Sequence, residues 1–295
     1  MSRVKNGDIE LKESDGPKKR NRLDLLLVAK YPDYNRSTLQ NFIKSGFVTV
    51  DGKVVKKPNY EIIDDATPEI ILTVPERELP SDVKKMLIYE DQNVLVINKP
   101  AGMLSMAKGQ FTSEVTLEDY GLLVHRLDRD TSGVVILAKN PATQTMLRRQ
   151  FQERKTHKTY IAVVAGHPKN SAALIDLPTS RNYKHPTTFL VDPKGKASQT
   201  YYQVLEQTEK KSLLELKPVS GRTHQLRVHL HYIGCPILGD KIYNPTSKAS
   251  RLFLHAKSLE ISIPSASSDS TDNIRRTFEA EVPPEFYEEL KSDVL

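Results

Sequence analysis

Between two apolar runs, Leu122-Leu123-Val124 and Val134 to Leu137, the chain sets His125-Arg126-Leu127-Asp128-Arg129-Asp130, with five of the six residues polar or ionisable. A charged turn between strands has this composition, because turns are polar. So does a site for chemistry. A carboxylate among apolar strands stays ionised only when a cation or hydrogen-bond donors hold it, and such a group can act as nucleophile or base. Three further strings join strand-like residues to dense polar groups: "YEDQNVLVINKPAGM" (89–103), "RKTHKTYIAVVAG" (154–166) and "LKPVSGRTHQLRVHLHYIGCPILGDKIY" (216–243). They offer Lys99, Tyr160, Arg222, His224 and Arg227. Arg148, Arg149 and Arg154, with Lys155 and Lys158, form a cationic cluster that suits phosphates or a plain solvated helix face. His224, His229 and His231 invite a metal reading, but no nearby carboxylate or cysteine completes a ligand set, so no metal is expected.

The elements that must position these groups are short. From residue 85 onward, β-branched runs alternate with turn signals, as in "NVLVINKP", "GVVILAK", "TYIAVVAG", "TYYQVLE", "SLLELKPV" and "RLFLHAKSLEISI". Two helical stretches interrupt them. Asn140 and Pro141 open one as cap and first position, with Met146, Leu147, Gln150 and Phe151 on its inner side. The other fits a helix from about Thr223 to Gly234 with Leu226, Leu230 and Ile233 inward, although a strand also fits there. This pattern belongs to the α+β class, with a large mixed or antiparallel sheet and flanking helices.

A smaller module precedes it. Leu23, Leu26, Leu27 and Tyr31 fall at helical spacing; Ser37 is placed to cap "TLQNFIKSG", whose Leu39, Phe42 and Ile43 form a second apolar face ended by Gly46. "FVTVDGKVV" reads as two strands around an Asp51-Gly52 turn, and "PEIILTV" as another strand. The expected division is a disordered tail over 1–20, a small domain over 21–74, a linker over 75–84 and a large domain over 85–295.

Charge placement sharpens the reading. Net charge is +6. Residues 1–60 hold 13 Lys and Arg against 7 Asp and Glu, and the rest of the chain balances. A basic excess confined to the first fifth suits a polyanion. No uncharged apolar run approaches the ~18 residues needed to cross a bilayer, and the start lacks the apolar stretch of a secretion signal. Cys235 is the single cysteine, which excludes an internal disulfide and fits a reducing, cytoplasmic compartment.

"HRLDRDTSG", "GRTHQLRVH" and the two strand-bound strings around Lys99 and Tyr160 together resemble the RluA-type family of RNA pseudouridine synthases. Arg22-Leu23-Asp24, "STLQNFIKSGFVTVDGK" and Lys53, Lys56 and Lys57 resemble the αL RNA-binding domain first known from a ribosomal small-subunit protein. The resemblance runs from residue 22 onward, and its layout is nearest to members that modify large-subunit ribosomal RNA, with transfer RNA as the alternative. It implies a catalytic domain of pseudouridine synthase fold, a monomer, an RNA substrate and no cofactor. It implies that Asp128 is the essential aspartate, attacking the anomeric carbon or taking a proton from the neighbouring sugar carbon, and that Arg227 pairs with it. Tyr160 matches the tyrosine that stacks on uracil, and Arg126 fills the gap left by the flipped nucleotide. Lys99, Arg222, His224, Arg148, Arg149, Arg154, Arg36, Lys44 and Lys53 are the expected further RNA contacts or pocket supports. Arg129 and Asp130 fall to a solvated turn, with Leu127 packed beneath. Relatives carry a longer segment where only 25 residues separate Lys99 from His125. Cys235, where relatives often have histidine, is expected to pack only.

Two other readings compete. A ribosome-assembly factor would keep the RNA and drop the chemistry. A glycosidase or base-excising enzyme could turn Asp128 on a glycosidic bond, but would release a free base or sugar. A serine hydrolase lacks its G-x-S-x-G elbow.

Overall fold

The computed structural model describes residues 20–31, 36–63, 69–70, 81–106, 115–265 and 273–292. Residues 1–19 of the expected tail, 75–80 of the expected linker and 107–114 of the shortened segment lie outside the described residues. The chain divides into two units, Met1–Thr73 and Val74–Leu295.

The first unit holds strand β1 (Arg20–Arg22), helices α1 (Leu23–Lys30) and α2 (Arg36–Lys44), and strands β2 (Val48–Val50), β3 (Lys53–Val54), β4 (Glu61–Ile63) and β5 (Glu69–Ile70). β2 pairs with β3 and β5, and β1 with β4. Leu23, Leu27, Leu39, Phe42 and Ile43 are buried between them, as their spacing dictates. The Asp51-Gly52 turn has φ of 51° and 74°, the doubly positive turn whose twist matches the flanking strands. α2 starts at Arg36, so Ser37 lies inside its first turn and not ahead of it. Asp24 breaks the apolar pattern of α1. Its fully buried carboxylate accepts from Arg22, Arg36 and Gln40 at 2.8–3.1 Å. Burial opposes its ionisation, but these donors outweigh it and hold the group at about 2.

The second unit opens with α3 (Ser81–Lys84), a single turn in what reads as linker, whose Val83 is fully buried. Strands β6 (Leu87–Glu90), β7 (Val94–Lys99), β8 (Leu122–Leu123) and β9 (Ser132–Ala138) follow, then α4 (Pro141–Gln152). Next come β10 (His157–Ala165), β11 (Ala172–Asp176), β12 (Thr179–Arg181), β13 (Phe189–Val191), β14 (Gln199–Gln207) and β15 (Lys211–Pro218). α5 (Gln225–Tyr232), β16 (Leu254–Pro264), β17 (Asn273–Glu279) and α6 (Glu285–Lys291) complete it.

Ten strands form one mixed sheet, in the order β11-β14-β15-β10-β16-β9-β7-β6, with β17 on β16 and β8 on β9. Every pairing is antiparallel except β16 with β9. β9 is buried along its whole length, which explains its unbroken apolar sequence. β14 alternates on its first half because one face is wet. Gly133 sits in the parallel pair at φ 116°, where a Cβ would overlap the Ala256 backbone; only glycine lets these strands close. Asn140 caps α4 by accepting the Thr143 N–H at 2.8 Å, with Pro141 at the first position. Leu147 is the fully buried residue of its expected apolar side, and Met146, Gln150 and Phe151 are half-buried. The stretch that fitted both helix and strand is helix α5, with Leu226 and Leu230 buried. Cys235 packs in the core.

Candidate active site

The site grows from how residues 125–130 are held. In extended backbone, alternate residues face opposite ways. The His125 ring stacks on Phe151 at 4.6 Å, and its Nε2 accepts the Ile136 N–H at 3.2 Å. That acceptor role requires a neutral ring, and burial pushes its pKa down to about 3. Leu127 is 5% exposed, and the Ser105 hydroxyl both donates to its carbonyl and accepts its N–H. The Arg129 carbonyl accepts from Lys99 Nζ and from the Gly102 N–H, both at 2.9 Å. With the backbone fixed at 125, 127 and 129, residues 126–130 together line an open cavity of about 240 Å³, Arg126 and Asp128 among them.

Asp128 Oδ2 accepts from Arg227 Nη1 at 3.0 Å, while Oδ1 accepts no hydrogen bond from any described residue. Arg227, buried on α5, gives its other edge to Asp240: Nε donates at 2.7 Å and Nη2 at 2.8 Å. Asp240 is wholly buried and also accepts the Ile242 and Tyr243 N–H groups. Burial raises its pKa, but Arg227 and these amides hold it below the ordinary value. One guanidinium therefore serves two carboxylates. The bidentate pair fixes its plane, and the single bond holds Asp128. Asp240 escapes a sequence reading because an aspartate after glycine reads as turn residue, and its partner lies 13 residues away around the end of a helix.

His224 stands at the start of α5 with a left-handed φ of 56°. Its Nδ1 bonds the Tyr243 hydroxyl at 2.9 Å, and its Nε2 lies 3.8 Å from Asp128 Oδ2. Because that hydroxyl already accepts the Phe189 N–H at 2.8 Å, its own proton is free to point at Nδ1. A Tyr243 hydroxyl donating to Nδ1 would place the ring hydrogen on Nε2, on the side of Asp128. Burial lowers the His224 pKa, against the pull of Asp128, so the ring is neutral at pH 7.

Tyr160 does not line the cavity. It packs half-buried against both apolar cores of the unit, at a bulge in the β10–β16 pairing. Burial and the nearby Asp128 charge push its phenol pKa up, so the group is protonated.

The other expected RNA contacts separate. Lys99 is fully buried; its Nζ donates to the carbonyls of Pro100, Met103 and Arg129 at 2.9–3.0 Å. Burial lowers its pKa to about 8, which leaves it mostly charged at pH 7 with all three protons used. It is a staple beneath the loop, the pocket support among the two roles expected of it. Arg148 is turned inward, donating from Nε and Nη2 to the Leu123 carbonyl. Arg36 is drawn to Asp24 in the first unit. Arg149 is exposed but paired with Glu153, and Arg154 and Arg222 are exposed. Lys44 and Lys53 are exposed on the first unit. Arg126 is exposed at the cavity wall. His229 lies inside the fold, held by Thr200 and the Leu177 carbonyl, apart from any ligand set.

A half-buried carboxylate, a shared guanidinium and a neutral imidazole around one cavity can hold a sugar and exchange protons with it. Two family models match the chain. Residues 93–232 match the RNA pseudouridylate synthase family and residues 21–62 the S4 domain. The chain is 39% identical to an uncharacterized RNA pseudouridine synthase of Aquifex aeolicus, over 75% of this chain and 76% of that one. It is 36% identical to the ribosomal large subunit pseudouridine synthase D of Borreliella burgdorferi, over 82% of each chain. Among solved structures, human RNA pseudouridylate synthase domain containing 1 aligns with a TM-score of 0.58 at 28% identity, covering 71% of this chain and 89% of that one. The fold, the paired domains and this identity agree: the chain belongs to the RluA-type family of RNA pseudouridine synthases, with an N-terminal S4 domain.

Proposed function

We propose that the protein isomerises specific uridines of large-subunit ribosomal RNA to pseudouridine, with Asp128 as the essential group. The observation that carries this is the Asp128–Arg227–Asp240 arrangement, in which a cavity-lining carboxylate is held through one oxygen by a guanidinium that a buried second carboxylate fixes in place. The ribosomal target is supported by the names of relatives such as those of Borreliella burgdorferi and Yersinia pestis.

In the reaction the C1′–N1 bond of uridine breaks, the base turns, and C1′ joins C5. The C5 proton leaves and N1 gains one, so mass is conserved. Asp128 opens the sequence either by attack on C1′ or by taking the C2′ proton; the oxygen that Arg227 does not bond can serve either route. Reaching C1′ requires the nucleotide to leave the helical stack, which costs a few kcal/mol. Arg126, exposed on the same wall as Asp128, can stack in the vacated space. Tyr160, which does not line the cavity, meets the base only if the pocket opens toward it when RNA binds, and being protonated it can take the C5 proton only by handing on its own. The His224 N–H faces the same carboxylate and can meet the sugar or base. Arg149, Arg154 and Arg222, with Lys44 and Lys53, are placed in the open to meet phosphates. The protein acts as a monomer without a cofactor, in the cytoplasm, a setting with which its single buried cysteine is compatible.

The test is to treat a large-subunit ribosomal RNA transcript with the protein and map carbodiimide-stable adducts. Discrete pseudouridines with no free uracil are expected; release of uracil would replace this reading with a glycosylase.

A further inference from the structure

A second groove of about 350 Å³ opens beside the catalytic cavity, between the β12–β13 hairpin and α5. Phe189, Leu190, Val228, His231, Tyr232 and Tyr243 line it, and Ile242 belongs to both hollows. The wall between them is a chain of rings. Phe189 meets His224 at 5.5 Å, His224 meets Tyr243 at 5.7 Å, and Tyr243 meets His231 at 5.9 Å. The Tyr243 hydroxyl, bonded to the Phe189 N–H and to His224, fixes this wall in place. His224 thus touches the reacting carboxylate on one side and the groove's rings on the other.

The rest of the groove is built for an incoming ring and its charge. Tyr232 is 60% exposed on a face of α5 where the core does not use it. The Arg181 guanidinium lies 5.8 Å over the Phe189 ring. Residues 179–197 carry Arg181, Lys184, Lys194 and Lys196 against one acid, Asp192. Asp192 is occupied by the Ser180 hydroxyl and the Lys194 N–H. Aromatic faces beside the Arg181 guanidinium suit a nucleotide, because any base stacks on a ring while a cation takes its phosphate.

We propose that this groove is a second nucleotide site, holding an unpaired base of the substrate RNA close in sequence to the uridine in the Asp128 cavity. The inference rests on the synthase reading and deepens it. Two hollows sharing a wall receive two nucleotides of one strand only if both leave the stack. Extruding a paired neighbour costs a few kcal/mol, so the groove favours uridines in single-stranded loops over uridines in continuous duplex. It would thereby contribute to target choice without reading a base edge.

The test pairs Tyr232→Ala with stem-loop RNAs that contain the mapped uridine and carry an abasic site at each flanking loop position in turn. Tyr232 is exposed, so the fold is spared; His231→Ala provides an independent second variant. On intact RNA, Tyr232→Ala is expected to weaken Kd about 5- to 100-fold, the range for one lost base stack, with the change in KM and not in kcat. At one flanking abasic position the wild type should weaken by a similar factor, and the variant should add nothing further. Equal losses on all RNAs, or no loss with either variant, would overturn the proposal. Binding is read separately from turnover: wild-type protein that binds these RNAs but forms no pseudouridine would instead refute the synthase reading.

Discussion

Asp128 is held through one carboxylate oxygen, and that hold is the work of a residue it never touches. Asp240 takes two of the three donor positions Arg227 uses, so the guanidinium cannot rotate away from the cavity. For Asp240→Asn we expect kcat to fall on the order of 100-fold, through loss of the arginine's orientation, while RNA Kd changes little. Stability should also drop, because breaking a buried pair leaves an uncompensated charge, typically ~3 kcal/mol or more. Steady-state kinetics beside thermal unfolding separate the effects; unchanged kcat would remove Asp240 from the site. Asp128 drew attention as a carboxylate in a polar knot between apolar runs, while Arg227 and Arg126 were singled out through the resemblance carried by "HRLDRDTSG" and "GRTHQLRVH". Asp240 and Tyr243 were not, since their meaning comes from partners around the end of α5.

Among the elements, the strand ends and the loop after β8 act as one piece, and Lys99 joins them. Its charge suggested an RNA contact, yet a lysine at the end of a buried strand with three carbonyls around it is a fastening. Lys99→Met would remove the Nζ donor from these carbonyls, of which only that of Arg129 keeps the Gly102 N–H, at about 1–3 kcal/mol for each buried group left unmet. We expect a lower unfolding temperature and lower activity, while the salt dependence of RNA binding keeps its slope; a slope reduced by about one unit would restore Lys99 as a phosphate contact. Local signals served well where they were complete, as at Asn140-Pro141 and Asp51-Gly52. They failed at Ser81–Lys84, where proline and charge suggested a linker but Val83 is buried. In the first unit, α1 and α2 are tied by Asp24. Its pKa of about 2 lies below the unfolded value of about 3.9. The tie therefore stabilises above pH ~4 and is lost as pH falls toward ~2. Amide exchange of α1 and α2 in the full chain should show the gap between wild type and Asp24→Asn closing over that window. A gap independent of pH would mean the carboxylate does not carry the tie.

At the scale of the whole molecule, an S4 unit is joined to a synthase unit, and each carries a small basic excess: 13 Lys and Arg against 11 Asp and Glu in residues 1–73, and 30 against 26 in residues 74–295. Lys53, Lys56 and Lys57 are exposed on the small unit, and the residues that hold Asp128 all belong to the large one. Removing residues 1–73 should leave the large unit folded, weaken RNA binding and reduce its salt slope, and lower activity on ribosomal RNA. An insoluble remainder would contradict this division of labour. The central claim is that Asp128 performs the isomerisation, and it is tested most directly by tritium release from RNA labelled at uridine C5. Wild-type protein should release tritium in step with pseudouridine formed, while Asp128→Asn should release none yet bind the same RNA within a few-fold. Continued release by Asp128→Asn at a comparable rate would contradict it.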